Sequence, residues 1–356
     1  MMILLLGLLT LVFTLMTFLP LVKNDYWTFR ILEYPRVQKL IIGTVLLLGC
    51  ITTKGWLGEW FWWLFVANAI CIAYLIGKIF PYTSLSPKEM KRVRAANAQN
   101  ELKIFTCNVL QDNQQFKRLL QQISFTDPDV VFLVETDSAW ETAMQVLKNN
   151  YPYSLKRPLS NTYGLLFYSR LPLRNGVIRF LAEDDIPSVK TIVVLPSGVE
   201  VQLYGLHPKP PVPKESLTST AKDKELMKVA FEVEKQQKPC VVMGDLNDVA
   251  WSYVTELFRK VSGLIDPRRG RGFYSTFSAN HWWMRFPLDY IFCSSHFGLV
   301  SMKRMPYNGS DHFAMFIHLQ YHPKLKTVQE EPEADAKERA DAAEKATAPA
   351  PNIEGI

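Results

Sequence analysis

The run Val241-Val242-Met243-Gly244-Asp245-Leu246-Asn247-Asp248 contains an apolar strand pattern followed directly by polar groups. Its β-branched residues predict a buried strand that stops at Gly244. Because side chains alternate along an extended chain, Asp245 and Asn247 point the same way. A carboxylate can hold a metal ion or orient a water molecule, and an amide can donate to a phosphate oxygen. A strand followed by an Asx-turn gives the same letters, so this run alone leaves a structural and a functional interpretation open.

Polar side chains also stand at the ends of other apolar runs along the chain. These residues are Asn108, Glu135, His207, Asp289, Asp311 and His312. Each of them alone is typical of a capping or turn residue. Together with Asp245 and Asn247 they provide hard oxygen ligands, imidazoles and amide donors, which is the inventory of a metal-assisted phosphoesterase.

The segment Leu102–Tyr321 alternates strand and helix patterns and therefore predicts an α/β domain. The predicted strands are Leu102–Val109, Asp129–Glu135, Gly164–Tyr168, Val189–Leu195, Glu200–His207, Cys240–Gly244, Leu288–Cys293, Leu299–Arg304 and Phe313–Leu319. The predicted helices are Gln114–Ile123, Ala139–Lys148, Ser216–Gln236 and Ala250–Val261.

Six motifs follow one another in this segment: Thr106-Cys107-Asn108-Val109, Asp129–Glu135, Leu206-His207-Pro208, Gly244-Asp245-Leu246-Asn247, Leu288-Asp289-Tyr290-Ile291 and Ser310-Asp311-His312. In their order and spacing, Leu102–Tyr321 resembles the endonuclease/exonuclease/phosphatase superfamily, which has the DNase I-like fold. The resemblance implies an α/β four-layer sandwich. Two mixed sheets would pack face to face, helices would cover the outside, and the active site would lie at one end. It also implies a hydrolase that acts on phosphate ester bonds.

The resemblance implies roles for the acidic residues at the metal. Glu135 is similar to the principal Mg²⁺ ligand of the superfamily, and Asp311 or Asn108 would complete the metal shell directly or through water. Mn²⁺ is the substitute metal that this ligand set would accept. Asp245 is similar to the residue that orients the attacking water.

The resemblance also implies roles at the phosphate. Asn247 and Asn108 are similar to the amide donors to the phosphate oxygens. His312 is similar to the imidazole that binds or protonates at the phosphate, oriented by Asp289, and His207 would face the same phosphate. A divalent cation, an imidazolium and amide donors all stabilise the charge that builds up during in-line attack.

Three further features bear on the substrate. Leu110 stands where some DNA-repair members carry an acid, which argues against carrying over their specificity. Arg268-Arg269-Gly270-Arg271 is a basic cluster that fits either a solvated loop or a phosphate contact. His281-Trp282-Trp283-Met284-Arg285-Phe286 fits either core packing or a loop that touches a membrane or a substrate.

The first eighty residues contain three long uncharged runs, Met1–Val22, Leu40–Thr53 and Trp60–Gly77. The first is long enough to span a bilayer, and it has neither the preceding basic residues nor the small-residue site of a cleaved signal peptide. The second is short, but its flanking lysines can snorkel. We therefore predict a transmembrane region of about three helices over 1–80, followed by a basic linker over 81–101 and the catalytic domain over 102–321.

The orientation of the domain is predicted differently by two arguments. With three spans, the basic residues of Lys23–Lys39 and of Lys78–Arg94 lie on one side, and the positive-inside rule puts that side in the cytoplasm. The chain also resembles membrane-bound superfamily members whose catalytic domain lies outside the cytoplasmic membrane. The expected location is therefore the bacterial inner membrane, multi-pass, with the side undecided and a lean to the periplasm.

The composition of the chain limits what can be inferred about its cysteines, its charge and its C-terminal segment. The five cysteines have no metal-like spacing and are interpreted as buried free thiols. The net charge of +6 is modest and does not by itself imply nucleic acid. Residues 322–356 hold few large apolar side chains and predict a disordered tail with transient helix at most.

The sequence therefore predicts a membrane-anchored, Mg²⁺-dependent phosphoesterase that cleaves a phosphodiester, phosphomonoester or pyrophosphate bond, with a lipid-linked phosphate as one candidate substrate. The expected partners are the lipid bilayer and the phosphate ester, and no obligate protein partner is inferred. A membrane-tethered nuclease is one alternative, and it predicts a broad basic face and a steep loss of nucleic acid binding with salt. A non-catalytic scaffold on the same fold is the other, and it would have no need of the acid, amide and imidazole set.

Overall fold

The computed structural model describes residues 2–349, which form an N-terminal helical bundle and an α/β domain of two sheets. The helices are α1 Met2–Phe18, α2 Trp27–Arg30, α3 Arg36–Thr52, α4 Lys54–Leu57, α5 Trp60–Ile79, α6 Phe116–Thr126, α7 Ser138–Ala143, α8 Thr220–Gln236, α9 Tyr253–Ser262 and α10 Ala336–Thr347. The strands are β1 Glu101–Asn108, β2 Val130–Val134, β3 Tyr153–Arg157, β4 Leu165–Ser169, β5 Leu173–Phe180, β6 Pro187–Val194, β7 Glu200–Leu206, β8 Cys240–Asp245, β9 Asp289–Cys293, β10 Phe297–Arg304 and β11 Met315–Tyr321.

The two sheets have related strand arrangements. The six-stranded sheet has the order β10-β11-β1-β2-β4-β3, and the five-stranded sheet has the order β5-β6-β7-β8-β9. In the six-stranded sheet, β1 is parallel to β2 and antiparallel to β11. In the five-stranded sheet, β8 is parallel to β7 and antiparallel to β9. The carboxyl ends of the parallel strands and the amino ends of β9 and β11 therefore lie at the same edge of their sheets.

The core lies between the sheets, and helices cover the outer faces. A Cβ on Gly205 of β7 would lie 2.7 Å from the ring of Phe132 of β2, so this glycine allows the two sheets to approach closely. Helices α6 and α7 bury Leu119 and Trp140 on the first sheet. Helices α8 and α9 pack on the second sheet, where Phe258 contacts Phe292. The predicted four-layer sandwich of two mixed sheets with outer helices is confirmed.

Nine strands were predicted from the sequence, and all nine are present with ends shifted by one or two residues. Strands β3 and β5 were missed. Both are edge strands, and most of their side chains are exposed, so neither has the apolar run or the clean alternation of a buried strand. The five cysteines are buried free thiols, as predicted.

Helices α1, α3 and α5 pack side by side as a bundle. A Cβ on Gly43 of α3 would lie 2.4 Å from Phe13 of α1 and 3.2 Å from Ile72 of α5, so the small residue permits this close contact. Two helical segments, Met2–Leu21 and Trp60–Tyr82, are long and apolar enough to cross a membrane. A third crossing is added if residues 27–52 count as one span with a 72° bend.

Both ends of the α3–α5 hairpin contact the catalytic domain. Before α3, the main-chain carbonyl of Glu33 accepts from Trp251 Nε1 at 2.8 Å. After α5, the hydroxyl of Tyr82 donates to the carbonyl of Ala250. Helices α3 and α5 therefore run away from the domain and back towards it.

Residues 23–35, here called the junction segment, are held to the domain by buried charges. Arg30 lies 3.3 Å from Asp223 of α8, which in turn lies 3.0 Å from Lys345 of α10. Lys222 of α8 pairs with Asp248, next to the predicted site residue Asn247. Removing one member of such a network leaves a buried charge unpaired and is strongly destabilising. The network therefore ties the junction segment, α8 and α10 to the loop after β8.

The tail was predicted to be disordered, but its helix α10 packs against α8 and α9. Ala342 is fully buried, and charged side chains secure the rest, with Glu338 2.6 Å from Lys260 and Arg339 2.6 Å from Glu234. A capping box at Asp335 starts the helix. The prediction relied on the lack of large apolar residues, whereas docking here uses alanine and ion pairs. Positions 350–356 of the predicted tail lie outside the described residues.

Candidate active site

The predicted site residues converge where the ends of the two sheets meet. Asn108 ends β1, Glu135 follows β2, His207 follows β7, Asp245 ends β8 and Asp289 begins β9. Asp245 and Asp289 are directly paired across β8 and β9. The alternation of each strand had already fixed which side chains point into this edge, and the sheet topology brings them together.

Asn108 bridges two carboxylates from different sheets. Its Nδ2 donates to Glu135 Oε1 at 2.6 Å and to Asp245 Oδ2 at 3.1 Å, while its Oδ1 accepts from the main-chain N–H of Leu110. In this orientation both amide hydrogens are donated to carboxylates, so Asn108 links the side chains of Glu135 and Asp245. The two roles implied for Asn108, donor to the phosphate and metal ligand, stay predictions.

His312 lies between two carboxylates. Its Nδ1 is 2.8 Å from Asp289 Oδ2, and its Nε2 is 3.5 Å from Asp245 Oδ2. Ser310 holds the turn before β11, because its Oγ accepts from the His312 N–H and donates to the Asn108 carbonyl. The predicted pairing of His312 with Asp289 is present.

His207 faces the same carboxylates from β7. Its Nε2 lies 3.9 Å from both Glu135 Oε1 and Asp245 Oδ2, and its buried Nδ1 has no hydrogen-bond partner among the described residues. The ring lies 5.3 Å from that of Tyr163, a neighbour the sequence did not predict. Both imidazoles therefore lie within 4 Å of Asp245 Oδ2. The role of His207 at the phosphate stays a prediction.

The two histidines differ in charge because their surroundings differ. Burial lowers the pKa of His207 to about 4, so this ring is neutral near pH 7. Burial also opposes the charge on His312, but Asp289 and Asp245 outweigh it and raise its pKa to about 10. The site thus combines a neutral imidazole with an imidazolium.

The carboxylates of the cluster lie in a buried, poorly solvated environment. Burial raises the pKa of Glu135 to about 7 and also raises that of Asp245. An ionised pair here needs a cation beside it, and carboxylate oxygens are the ligands that hard divalent cations prefer. The residue set therefore fits a divalent cation, which Glu135 and Asp311 at the pocket wall would hold.

A second group of candidate ligands overlaps this one. Asp245, Asp289 and His312 offer ligand atoms within 4.8 Å of one another. Within this group, the 2.8 Å contact of His312 Nδ1 with Asp289 Oδ2 forms a hydrogen-bonded carboxylate–imidazole pair next to Asp245.

Three residues at these strand ends have a left-handed backbone, with φ of 58° at Leu110, 57° at Glu135 and 49° at Asn247. This conformation costs roughly 1–2 kcal/mol for most L residues, so neighbouring groups must hold it. The N–H of Asn247 donates to Asp245 Oδ1 at 2.9 Å, and Tyr34 of the junction segment donates to the Asn247 carbonyl at 2.7 Å. The loop after β8 is therefore supported by the junction segment.

The side-chain amide of Asn247 points to the same pocket and donates to the carbonyl of Pro208 at 3.0 Å. An amide nitrogen carries two hydrogens, so a second donor remains for a ligand. The predicted role of Asn247 as a phosphate donor is compatible with this position.

A pocket of about 390 Å³ opens beside the cluster. Its lining residues are Ile31, Tyr34, Pro35, Glu135, Pro210, Val212, Asp245, Asn247, Phe277, Met284, Phe286, Leu288, Asp311 and His312. The contribution of the junction segment was not predicted, since nothing in its local pattern marks it as part of a site whose other residues lie 100 or more positions further along the chain. The volume lies within the range of small-molecule sites.

The sequence left two interpretations open for each of two segments, the basic cluster 268–271 and the aromatic loop 281–286, and the structure gives a different answer for each. Arg268 is buried and lies 2.7 Å from Asp266, while Arg269 lies 2.7 Å from Glu256, so these arginines are structural and do not line the pocket. In the aromatic loop, Trp282 is 80% exposed, whereas Phe286 is buried and lines the pocket. That loop therefore serves both as surface and as a wall of the site.

Comparison with known proteins agrees with this geometry. Residues 96–312 match the model of the Endonuclease/Exonuclease/phosphatase family. No curated protein matches the chain.

Similar solved structures include an endonuclease/exonuclease/phosphatase from Beutenbergia cavernae DSM 12333, with TM-score 0.51 and 16% identity over 63% of this chain and 72% of that chain. D. rerio TDP2 complexed with a single-strand DNA product has TM-score 0.52 and 16% identity over 62% and 99%. The human Nocturnin catalytic domain with bound sulfate has TM-score 0.51 and 17% identity over 66% and 97%. At these identities the similarity concerns the fold.

Proposed function

Because this chain belongs to the endonuclease/exonuclease/phosphatase family, we propose that it is a divalent-metal-dependent phosphoesterase that works at a membrane surface on a lipid-linked phosphate ester. The observation that carries the proposal is the position of the carboxylate and imidazole cluster in a pocket that the junction segment helps to form. Mg²⁺ is the expected metal, with Mn²⁺ as the substitute.

The residues of the cluster divide the chemistry of phosphoester hydrolysis. Glu135 and Asp311 would hold the cation, which would supply Lewis-acid stabilisation of the phosphoryl oxygens. Asp245 accepts a hydrogen bond from the attacking water and orients it. The imidazolium of His312 donates to a phosphoryl oxygen, and Asn247 donates from the side with the second hydrogen of its amide. Asn108 holds Glu135 and Asp245 in place through its two donated hydrogen bonds.

The helical bundle supports a membrane location. Helix α3 has 17 residues and is therefore about 26 Å long, close to the thickness of the hydrocarbon core. At the far end of the hairpin, Trp56, Trp60 and Trp63 are largely exposed, as expected for a belt of aromatic residues at the interface. The return of α5 to the domain supports three crossings, α1, α3 and α5, in the inner membrane of a bacterium.

We propose that the domain faces the periplasm. The charge argument for the cytoplasm counted basic residues that have structural partners, since Arg30 pairs with Asp25 and Lys39 donates to main-chain carbonyls. Their presence is therefore explained without a role in orientation. A periplasmic domain would meet lipid carriers on the outer leaflet.

The topology can be tested with reporters fused after Met1, within residues 53–59 and after Ile356. Three crossings predict that the first two positions lie on the same side of the membrane and that the third lies on the opposite side. A periplasm-active reporter is expected after Ile356. A cytoplasmic reporter there would favour the positive-inside rule, and matching sides for the two ends would contradict three crossings.

The proposed activity is tested by assaying purified full-length protein on a lipid pyrophosphate, a phospholipid and single-stranded DNA, with Mg²⁺ and with chelator. Turnover of a lipid substrate that depends on Mg²⁺ is expected. Preference for DNA with a steep loss at higher salt would support the nuclease instead. No turnover of any phosphate ester would leave the scaffold interpretation.

A further inference from the structure

The lining of the pocket beside the cluster is partly polar and partly apolar. The polar part includes the carboxylates of Glu135, Asp245 and Asp311 and the imidazole of His312. The apolar part comes from the junction segment, from Pro210 and Val212, and from residues 277–288, here called the pocket loop. The junction segment contributes Ile31 and Pro35, and the pocket loop contributes Phe277, Met284, Phe286 and Leu288. None of the described lining residues is lysine or arginine, so apart from the catalytic groups this surface offers hydrocarbon contacts to a ligand.

The pocket loop also touches the membrane bundle. Gln38, in the first turn of α3, donates to the carbonyl of Trp283 at 2.9 Å. One turn further, Ile41 is 61% exposed, at the start of the apolar outer surface of α3. Trp282 and Trp283 are 80% and 55% exposed at this level. Exposed tryptophans beside an apolar helix surface fit the interface of a bilayer.

The rim of the pocket lies on the same side. Ile31 and Met284 both line the pocket and are 37% and 38% exposed, so each reaches from the interior to the surface. An apolar rim next to interfacial tryptophans gives a ligand a path from the bilayer to the carboxylate cluster without crossing water.

We propose that this pocket binds the hydrocarbon adjoining the phosphate of an amphiphilic phosphate ester that enters sideways from the membrane. The junction segment and the pocket loop would then be specificity-determining parts of the site. The inference rests on the proposed phosphoesterase function and adds to it the residues that bind the hydrocarbon and the route by which the substrate enters.

The test uses p-nitrophenyl alkyl phosphates with methyl, butyl and octyl chains, assayed with full-length protein in one detergent. The reacting group stays constant while the hydrocarbon grows. Each CH₂ that enters an apolar site is worth about 0.8 kcal/mol, so kcat/KM should rise by roughly 3- to 4-fold per carbon until the pocket is filled. The thymidine ester of p-nitrophenyl phosphate serves as the nucleotide comparison.

Ile31→Ser and Met284→Ser are expected to lower the octyl-to-methyl ratio of kcat/KM by about tenfold. A loss of this size is near the lower end of the free energy gained when one aliphatic side chain is buried. Partitioning of the octyl ester into detergent is the same for every variant, so it cancels when the ratio of a variant is compared with that of the wild type in the same detergent. Val177→Ser is the matched control, because Val177 is 45% exposed on the edge strand β5 and does not line the pocket. The ratio should be unchanged in this control.

The outcomes separate the inference from the function on which it rests. A flat series in the wild type, with Mg²⁺-dependent turnover of the methyl ester, overturns the hydrocarbon site and leaves the phosphoesterase intact. Preference for the thymidine ester over the octyl ester also overturns it, because the apolar wall would then receive a base. No Mg²⁺-dependent turnover of any ester would remove the proposed function itself.

Discussion

Glu135→Gln is expected to reduce the turnover of a phosphate ester by about 10³-fold or more, because it removes a charge that would hold the divalent cation, and Lewis-acid stabilisation is worth several kcal/mol. The glutamine keeps the shape of the side chain and an oxygen that can accept from Asn108, whose Nδ2 lies 2.6 Å from Glu135 Oε1. The measurement is kcat and KM with saturating Mg²⁺ on the full-length protein.

The same substitution has an expected effect on folding. Burial raises the pKa of Glu135 to about 7, above the value of about 4.3 in an unfolded chain. The folded state then binds more protons than the unfolded state between these two values, so in metal-free buffer this group costs stability as the pH rises through that window. Glu135→Gln removes the cost. Its Tm above pH 7 without metal should equal or exceed that of the wild type, and added Mg²⁺ should raise it less.

Glu141→Gln is the matched control, since Glu141 lies on α7, is about one-third exposed and pairs with Lys156 at 3.6 Å. This variant should keep wild-type turnover and the wild-type response of Tm to Mg²⁺. If Glu135→Gln retains near-normal turnover, or if Mg²⁺ raises its Tm as much as that of the wild type, Glu135 is not a metal ligand.

The catalytic cluster could be predicted because its geometry follows from short-range rules. Asn108, Glu135 and Asp245 each stand where an apolar strand ends, and alternation along the strand determines the side to which they point. The topology that joins the two sheets was implied by the resemblance to the superfamily, which the order of the motifs carries. The strands themselves could be predicted because they are buried and have a clear apolar pattern.

The pocket walls could not be predicted in this way. Tyr34 reaches the Asn247 carbonyl across 213 positions of sequence, and Ile31 lies in a segment whose composition indicates only a membrane junction. Helix α10 was missed for a related reason, because its docking depends on where Lys260 and Glu234 lie in the folded domain. Tertiary contacts decide such features, and the local sequence does not record them.

Asp289 and His312 are expected to act as one unit in turnover. His312→Ala should lower kcat by roughly 10²- to 10⁴-fold, the range of a positioned acid or base. Asp289→Asn should lower it less, because the ring remains but loses the carboxylate 2.8 Å from its Nδ1. With His312 absent, Asp289 has nothing to orient, so the double variant should be nearly as active as His312→Ala alone.

The pH dependence gives a second measure of the same pair. The charges of Asp289 and Asp245 raise the pKa of His312 to about 10 against the effect of burial. Asp289→Asn removes one of these charges, so the limb of the pH–rate profile that belongs to His312 should move to lower pH. A change in stability alone would lower the amount of folded enzyme without moving this limb.

A matched acid–histidine pair lies elsewhere on the same sheet, where His318 of β11 is 2.9 Å from Glu101 of β1. Glu101→Gln and His318→Ala should leave the kcat and the pH profile of the wild type, because Glu101 begins β1, at the opposite end from Asn108, and His318 lies in the middle of β11. If the losses from Asp289→Asn and His312→Ala multiply fully in the double variant, the two residues do not act as one unit. Asp289 would then support the fold at β9, and Asp245, 3.5 Å from His312 Nε2, would be the carboxylate that acts with the imidazole.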